Sequence, residues 1–397
     1  MFPFPRLKKA LILPILLSSQ IAFSADVGDF WETPQHGGNV FNRLPASTEL
    51  YSDLSAYNAS WVRIAYDKWP SESRDFLLGD ADDYQGLVPA DLKTLKGEIQ
   101  RAGDAGLKVV ISPLSLPAYR WAQNNNGKFD GRLFSDKANW EKAAAFWKDL
   151  ASELKDSPHV AAYNIINEPA PEKQSSLKEH ASASEMKDWY EKVKGSSRDL
   201  PAFYEHIVAA IREVDSNTPI MVDAGWYAAA DSFNYWEKTL SDDKVLYSFH
   251  MYEPYEVTSA PNLRRDVPLT YPGNAPFGDN QSMRWDKAQV AEYLNQPVEW
   301  AKSVGLPTNK LVAGEFGCAR KVDNCAAYLM DVIAALDANQ LHWAFYSFRE
   351  DAWDAMNYEL GTKGNVGWKY WQAMEEGKPD PTKYSSSGLF SIIQQKL

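Results

Sequence analysis

The chain has 397 residues and carries 53 acidic against 41 basic side chains, for a formal net charge of −12. That balance excludes nucleic acid and anionic membrane surfaces as expected partners, because both require a basic face. The length suits a single large α/β barrel, and 15 Trp and 20 Tyr suit either packing in a large core or stacking on the apolar faces of sugar rings.

The N-terminal segment Met1–Ser24 opens with Arg6, Lys8 and Lys9, continues into the apolar run Ala10–Leu17 and reaches the small residues of Ala22-Phe23-Ser24. Basic, apolar and small segments in that order predict a secretory signal peptide. A membrane anchor is disfavoured because the run is short and Pro14 interrupts it. With no cysteine near the cleavage site, lipid attachment is disfavoured too. Residues 25–397 are then expected as one domain, secreted or periplasmic, free of the membrane and monomeric. Loss of the three basic signal residues takes the charge of −12 to −15.

In chain order, the predicted strands are Gly38–Asn42, Ser60–Tyr66, Leu107–Ser112, Val160–Asn167, Ile220–Ala224, Val245–His250, Leu311–Glu315 and Trp343–Phe348. Several are continuously apolar, as strands covered by helices on the outside should be. Helical faces fall between them: Leu92, Leu95, Ile99 and Ala102; Ala143, Phe146, Trp147 and Leu150; Tyr328, Val332, Ala335 and Leu336. Eight strands alternating with helices predict a closed (β/α)₈ TIM barrel with extended βα loops. Three connections are long, Asp67–Ala90, Ala170–Leu200 (with a helical pattern of its own) and Met251–Arg284. All three follow strands, on the face where barrel active sites sit. Gly377–Leu397 reads as a peripheral tail.

Two carboxylates stand where predicted strands give way to loops. Tyr163-Asn164-Ile165-Ile166-Asn167-Glu168-Pro169 ends the fourth strand, and Leu311-Val312-Ala313-Gly314-Glu315-Phe316-Gly317 ends the seventh. Barrel closure brings such ends across one pocket, and acetal hydrolysis needs two carboxyl groups, one protonated and one ionised. Either Glu alone could be a solvated strand end; it is the pairing, in order, that points to chemistry. Arg63, in Trp61-Val62-Arg63-Ile64, is a cation inside an apolar strand. It requires a carboxylate partner, either in a structural ion pair or in the site. His250 and Tyr252 are two apart and share a face if the sixth strand continues that far. Cys318 and Cys325 are expected to form one disulfide in an oxidising compartment, with free thiols or a metal site as alternatives. No His or Cys spacing resembles a metal-ligand set, so neither metal nor cofactor is expected.

These motifs resemble glycoside hydrolase family 5, the barrel glycosidases with glutamates on strands four and seven. The resemblance implies Glu168 as acid/base, Glu315 as nucleophile and Asn167 as the partner of a sugar 2-hydroxyl. It also implies that Arg63 keeps the nucleophile ionised and that His250 and Tyr252 line the same subsite. The sequence departs from the family pattern twice. Ser112-Pro113-Leu114-Ser115-Leu116-Pro117 has Leu114 near the place of a strand-three His, and Tyr346 stands where a strand-eight Trp is common. Beyond Tyr346, the cluster Arg349-Glu350-Asp351-Ala352-Trp353-Asp354 reads either as sugar-contacting, with Trp353 as a stacking platform, or as a salt-bridged loop staple. The expected function is a retaining hydrolase acting on a poly- or oligosaccharide, with a β-1,4-glucan as first choice. A β-mannanase, a transglycosylase acting on a cell-surface glycan and a non-catalytic carbohydrate-binding barrel are the alternatives. A bridge between Cys318 and Cys325 would brace the loop after Glu315.

Overall fold

A computed structural model describes residues 27–279, 281–350, 354–362, 369, 372–373, 376–378 and 387–397. The predicted signal segment and Trp353 lie outside the described residues. Among the described residues ten strands are present: β1 His36–Val40, β2 Trp61–Ile64, β3 Lys108–Ile111, β4 Val160–Asn164, β5 Ile220–Asp223, β6 Val245–Met251, β7 Gly273–Phe277, β8 Gln281–Trp285, β9 Leu311–Phe316 and β10 His342–Phe345. Eight of them close a barrel in the order β1-β10-β9-β6-β5-β4-β3-β2, all pairs parallel. The expected (β/α)₈ architecture is the one observed, with each predicted strand overlapping its observed counterpart. β1 begins two residues before its predicted start.

The remaining strands, β7 and β8, pair antiparallel as a hairpin within the loop that follows β6. In the sequence this stretch reads as a long connection after the sixth strand. Its alternation is weak because Gly273, a small Ala275 and Pro276 take the places of regular strand residues, although Ala275 and Trp285 are buried.

The three predicted helical faces sit on helices Pro89–Asp104, Ala138–Leu154 and Cys325–Ala338. Each turns its apolar stripe toward the barrel, with Leu95, Ile99, Phe146, Trp147, Leu150, Val332 and Leu336 buried. The long loop after β4 carries helix Ala183–Val193, started by a capping box between Ser182 and Glu185. The C-terminal stretch is more than a loose tail. Helix Phe390–Gln394 docks against Cys325–Ala338 through buried Phe390 and Ile393, and Phe390 meets the Tyr57 ring edge-on at 4.9 Å. Among the described residues, no helix is long and apolar enough to cross a membrane.

Inside the barrel, alternate strand positions point inward and stack in layers. The lower layer is apolar: Trp61, Val110, Ala162, Met221, Leu246, Val312 and Ala344. Trp31, from a short helix before β1, plugs this end, and its indole N–H donates to Ala161 O at 3.0 Å. Two residues further along the strands the inward positions become polar. Asn39, Arg63, Ser112, Asn164, Asp223 and Ser248 are all fully buried there. The apolar layer excludes water from below, so these groups must satisfy one another.

Cys318 and Cys325 form a disulfide with Cα atoms 5.8 Å apart, just after β9. The loop it closes is short, so loop-closure entropy assigns it about 2–3 kcal/mol. Replacing both cysteines by serine is expected to lower unfolding stability by that order, measured by urea denaturation with and without the bridge.

Candidate active site

Glu315 reaches the barrel mouth through a register irregularity. Phe249 pairs with Ala313 but His250 pairs with Glu315, so the ladder steps over Gly314. With strict alternation, Glu315 would share the outward face of Ala313; the extra residue turns it inward instead. A Cβ on Gly314 would lie 2.6 Å from Ser248 Oγ, so only glycine fits the bulge.

The Glu315 carboxylate is held at both oxygens. Arg63 Nη1 donates to Oε1 at 2.6 Å and the Tyr252 hydroxyl donates to Oε2 at 2.7 Å. Arg63 is itself completely enclosed. Its Nε and Nη2 donate to Asn164 Oδ1 at 3.0 and 2.7 Å, Nη1 to Asn39 Oδ1 at 3.2 Å, and Nη2 to Asn167 Oδ1 at 2.8 Å. Burial pushes the Glu315 carboxyl above its ordinary value, opposed by His250 and by the Arg63 charge.

Glu168 is placed differently. Its backbone has φ +51°, in the left-handed region, and its N–H donates to Asp223 Oδ2 at 3.1 Å. Such a conformation costs energy in a non-glycine residue and persists only where neighbours enforce it. The Glu168 side chain is hydrogen-bonded to His250 Nδ1 at 2.8 Å. Burial raises its pKa to about 8, with the Asp223 charge adding to the rise and Arg63 opposing it. Burial also lowers the His250 pKa, keeping the ring neutral at pH 7. One oxygen of Glu168, one ring nitrogen of His250 and one oxygen of Glu315 all lie within 4.8 Å of one another. Two carboxyl groups thus share one pocket in opposed settings, one facing two donors and the other kept protonated.

The expected residues therefore converge. Glu168, Glu315, Asn167, Tyr252 and Tyr346 line a cavity of about 220 Å³ at the barrel mouth. Arg63 and His250 stand directly behind Glu315 and Glu168. Leu114 lines the same cavity, so an apolar side chain occupies the place of the family's strand-three His. Its loop is tied down by Asp67, which accepts from the Leu114 and Ser115 N–H groups at 2.8 Å each. Of the cluster after β10, Arg349 and Glu350 act as a staple: Arg349 bonds Glu359 at 2.6 Å and Asp53 at 2.6 Å, and Glu350 pairs with Lys68 at 3.0 Å. Trp353, offered as a stacking platform, lies outside the described residues.

Sequence reasoning missed Asp223, Asn164 and Asn39. Asn164 and Asp223 are polar side chains within apolar strands, the same signal that singled out Arg63, whereas Asn39 follows two glycines in β1. Asp223 is fully buried at the end of β5, accepts from Asn164 Nδ2 at 3.1 Å and lies 3.5 Å from Arg63 Nη2.

A family model described as Cellulase (glycosyl hydrolase family 5) matches residues 29–352. A protein of Neosartorya fischeri named Probable glucan 1,3-beta-glucosidase A is 23% identical over 76% of this chain and 66% of its own length. One of the same name from Aspergillus fumigatus is 22% identical over 86% of this chain and 73% of its own. Among solved structures, an endoglucanase of the hyperthermophile Thermotoga maritima superposes with a TM-score of 0.58 at 19% identity, over 81% of this chain and 92% of that one. An endoglucanase of Pseudomonas stutzeri in complex with cellobiose gives 0.58 at 17% identity, over 91% and 92%.

Asp223→Asn removes a negative charge beside Glu168 while keeping an acceptor for its N–H. The Glu168 carboxyl is expected to titrate at lower pH in this variant than its wild-type value of about 8. Carbon-13 NMR of labelled glutamate side chains measures the shift; an unchanged or raised value would contradict the electrostatic assignment.

Proposed function

The chain belongs to glycosyl hydrolase family 5, and on that premise we propose that it hydrolyses β-glucosidic bonds of a β-glucan by double displacement, with Glu315 as nucleophile and Glu168 as acid/base. The observation that carries the mechanism is the approach of the two carboxylates to within 4.8 Å in one cavity. Retaining enzymes hold their carboxyl groups about 5–5.5 Å apart, whereas inverting ones leave about 6.5–9.5 Å for a water.

In the first step Glu315 attacks the anomeric carbon. Arg63 and Tyr252 aim its oxygens and favour the ionised form. Glu168, protonated below pH 8 by its buried setting, gives its proton to the departing oxygen. In the second step Glu168, now ionised, takes a proton from a water whose oxygen attacks the anomeric carbon, breaking its bond to Glu315 and freeing the sugar with retained configuration. Asn167 has its Oδ1 engaged by Arg63 and its amide beside the Glu168 carboxyl, a position from which an N–H can meet a sugar hydroxyl next to the acid. Tyr346, set edge-on to Phe41 at 5.5 Å, forms an aromatic wall of the cavity.

For the substrate, the solved endoglucanases support a β-1,4-glucan and the curated relatives' names support a β-1,3-glucan. A Thermotoga maritima structure in complex with mannotriose keeps mannan as a further candidate. The buried, hydrogen-bonded state of both carboxylates argues against a carbohydrate-binding barrel without activity. Transglycosylation would use the same two residues, with a sugar in place of water. We also propose export from the cytoplasm, on the strength of the Met1–Ser24 pattern; N-terminal sequencing of the secreted protein should start at about Ala25, and an uncleaved Met1 would contradict this.

Reducing-sugar release from carboxymethylcellulose, mixed-linkage glucan, laminarin, mannan and xylan tests the assignment. Glu315→Gln is expected to lose about 10³-fold or more of kcat on the best of these. Glu168→Gln is expected to lose about 10²–10⁴-fold. Wild-type kcat/KM should fall as pH rises through about 8, where the acid form of Glu168 disappears. Retained activity in Glu315→Gln would exclude it as nucleophile.

A further inference from the structure

A second cavity, of about 520 Å³, adjoins the first across Trp121, Glu168, Tyr252 and Tyr255. Glu168 borders both cavities, whereas Glu315 borders only the smaller. In a double displacement the nucleophile touches the sugar that is transferred, and the acid touches the oxygen leading to the unit that leaves. A space beside the acid but away from the nucleophile therefore lies on the leaving side. This placement rests on the proposed roles of Glu168 and Glu315.

Three segments outside the family's motifs build this cavity. The long loop after β4 supplies His180, the hairpin supplies Phe277, and the start of the loop after β6 supplies Glu253. The turn after β5 adds Trp226 and Tyr227, both left-handed with φ +45° and +60°. Buried Glu172 enforces that turn, accepting from the Trp226 N–H at 3.0 Å and from the Tyr235 hydroxyl at 2.7 Å. Strained backbone held in this way commonly marks a functional wall.

Two titratable groups of its lining, His180 and Glu253, have no part in the cleavage step. His180 stacks on Phe277 at 4.2 Å and bonds Asp231 through Nδ1 at 2.8 Å. Burial disfavours its charge, but Asp231 and Glu253 outweigh that and raise its pKa to about 9. Glu253 accepts from the Tyr252 N–H through Oε2 at 3.1 Å. Its Oε1 lies 3.8 Å from His180 Nε2, beyond direct hydrogen bonding. That gap suits one hydroxyl oxygen, accepting from the imidazolium N–H and donating to the carboxylate. Such charge-assisted bonds are the stronger kind, and left unmade they are costly in a half-buried site.

We propose that the second cavity is a leaving-sugar site in which His180 and Glu253 together bind one hydroxyl of the departing pyranose. The ligand class is a neutral sugar unit, with Trp226 and Tyr255 as its apolar walls.

The test compares two substrates in wild type, His180→Gln and Glu253→Gln, read separately. One is cellotetraose, whose leaving group is a sugar. The other is 2,4-dinitrophenyl β-cellobioside, whose leaving group needs neither a proton nor a sugar site. In both variants the ratio of kcat/KM on cellotetraose to that on the aryl glycoside is expected to fall at least about tenfold. A ratio within about twofold of wild type in both variants overturns the leaving-sugar site and leaves the glycosidase reading intact, because the energy of such a bond cannot then be in use. Aryl-glycoside hydrolysis that survives Glu315→Gln overturns Glu315 as nucleophile, and the leaving-side placement of the second cavity with it.

Discussion

Arg63 carries a full charge at zero solvent exposure in the middle of β2, directly above an apolar barrel floor. A guanidinium in that position is tolerable only if every donor finds an acceptor. Asn39, Asn164, Asn167 and Glu315 provide them from strands β1, β4 and β9 and the end of β4. The requirement runs in both directions: Arg63 can be buried because the acceptors converge, and the strand ends stay in register because Arg63 ties them together. Deleting one partner of a buried pair typically costs about 3–5 kcal/mol, so this cluster organises the mouth as well as the chemistry.

From that centre the two carboxylates acquire different characters without differing in residue type. Glu315 lies against donors, while Glu168 lies against the Asp223 carboxylate and a neutral His250. Environments that push apart two otherwise identical groups suit them to the separate parts of acid and nucleophile proposed above. Asp223 contributes twice, by holding the left-handed backbone of Glu168 and by keeping its side chain protonated. The barrel supplies this inner ring, and the inserted loops supply what surrounds it. The wall around Trp226 depends on Glu172, four residues after Glu168 and on the same loop. Its burial raises its own pKa to about 7.

Much of this was legible in the residues. The strand pattern, the two Glu at strand ends and the buried Arg63 each follow from periodicity and from the cost of an unpaired charge. Asn164 and Asp223 were missed although they carry the same signal, because a neutral amide or an aspartate at a strand end has many uses on a protein surface. Leu114 and Tyr346 were recognised as departures, and both do line the cavity. The hairpin β7–β8 was not legible, since its alternation is interrupted by Gly and Pro. The role of Arg349 and Glu350 was open between sugar contact and staple, and their partners Asp53 and Lys68 are too far away in sequence to be paired by inspection.

By itself the sequence determined the barrel and the two carboxylates, because hydrophobic period and strand-end position are local properties that survive without coordinates. Only the tertiary structure decided how those carboxylates differ, since the difference comes from Asp223, His250 and Arg63 approaching from other strands. It also decided that Gly314 is stepped over so that Glu315 turns inward, a matter of one residue's register between β6 and β9. The second cavity belongs to the tertiary structure altogether. Its residues come from four separate loops, and no spacing along the chain records that they meet.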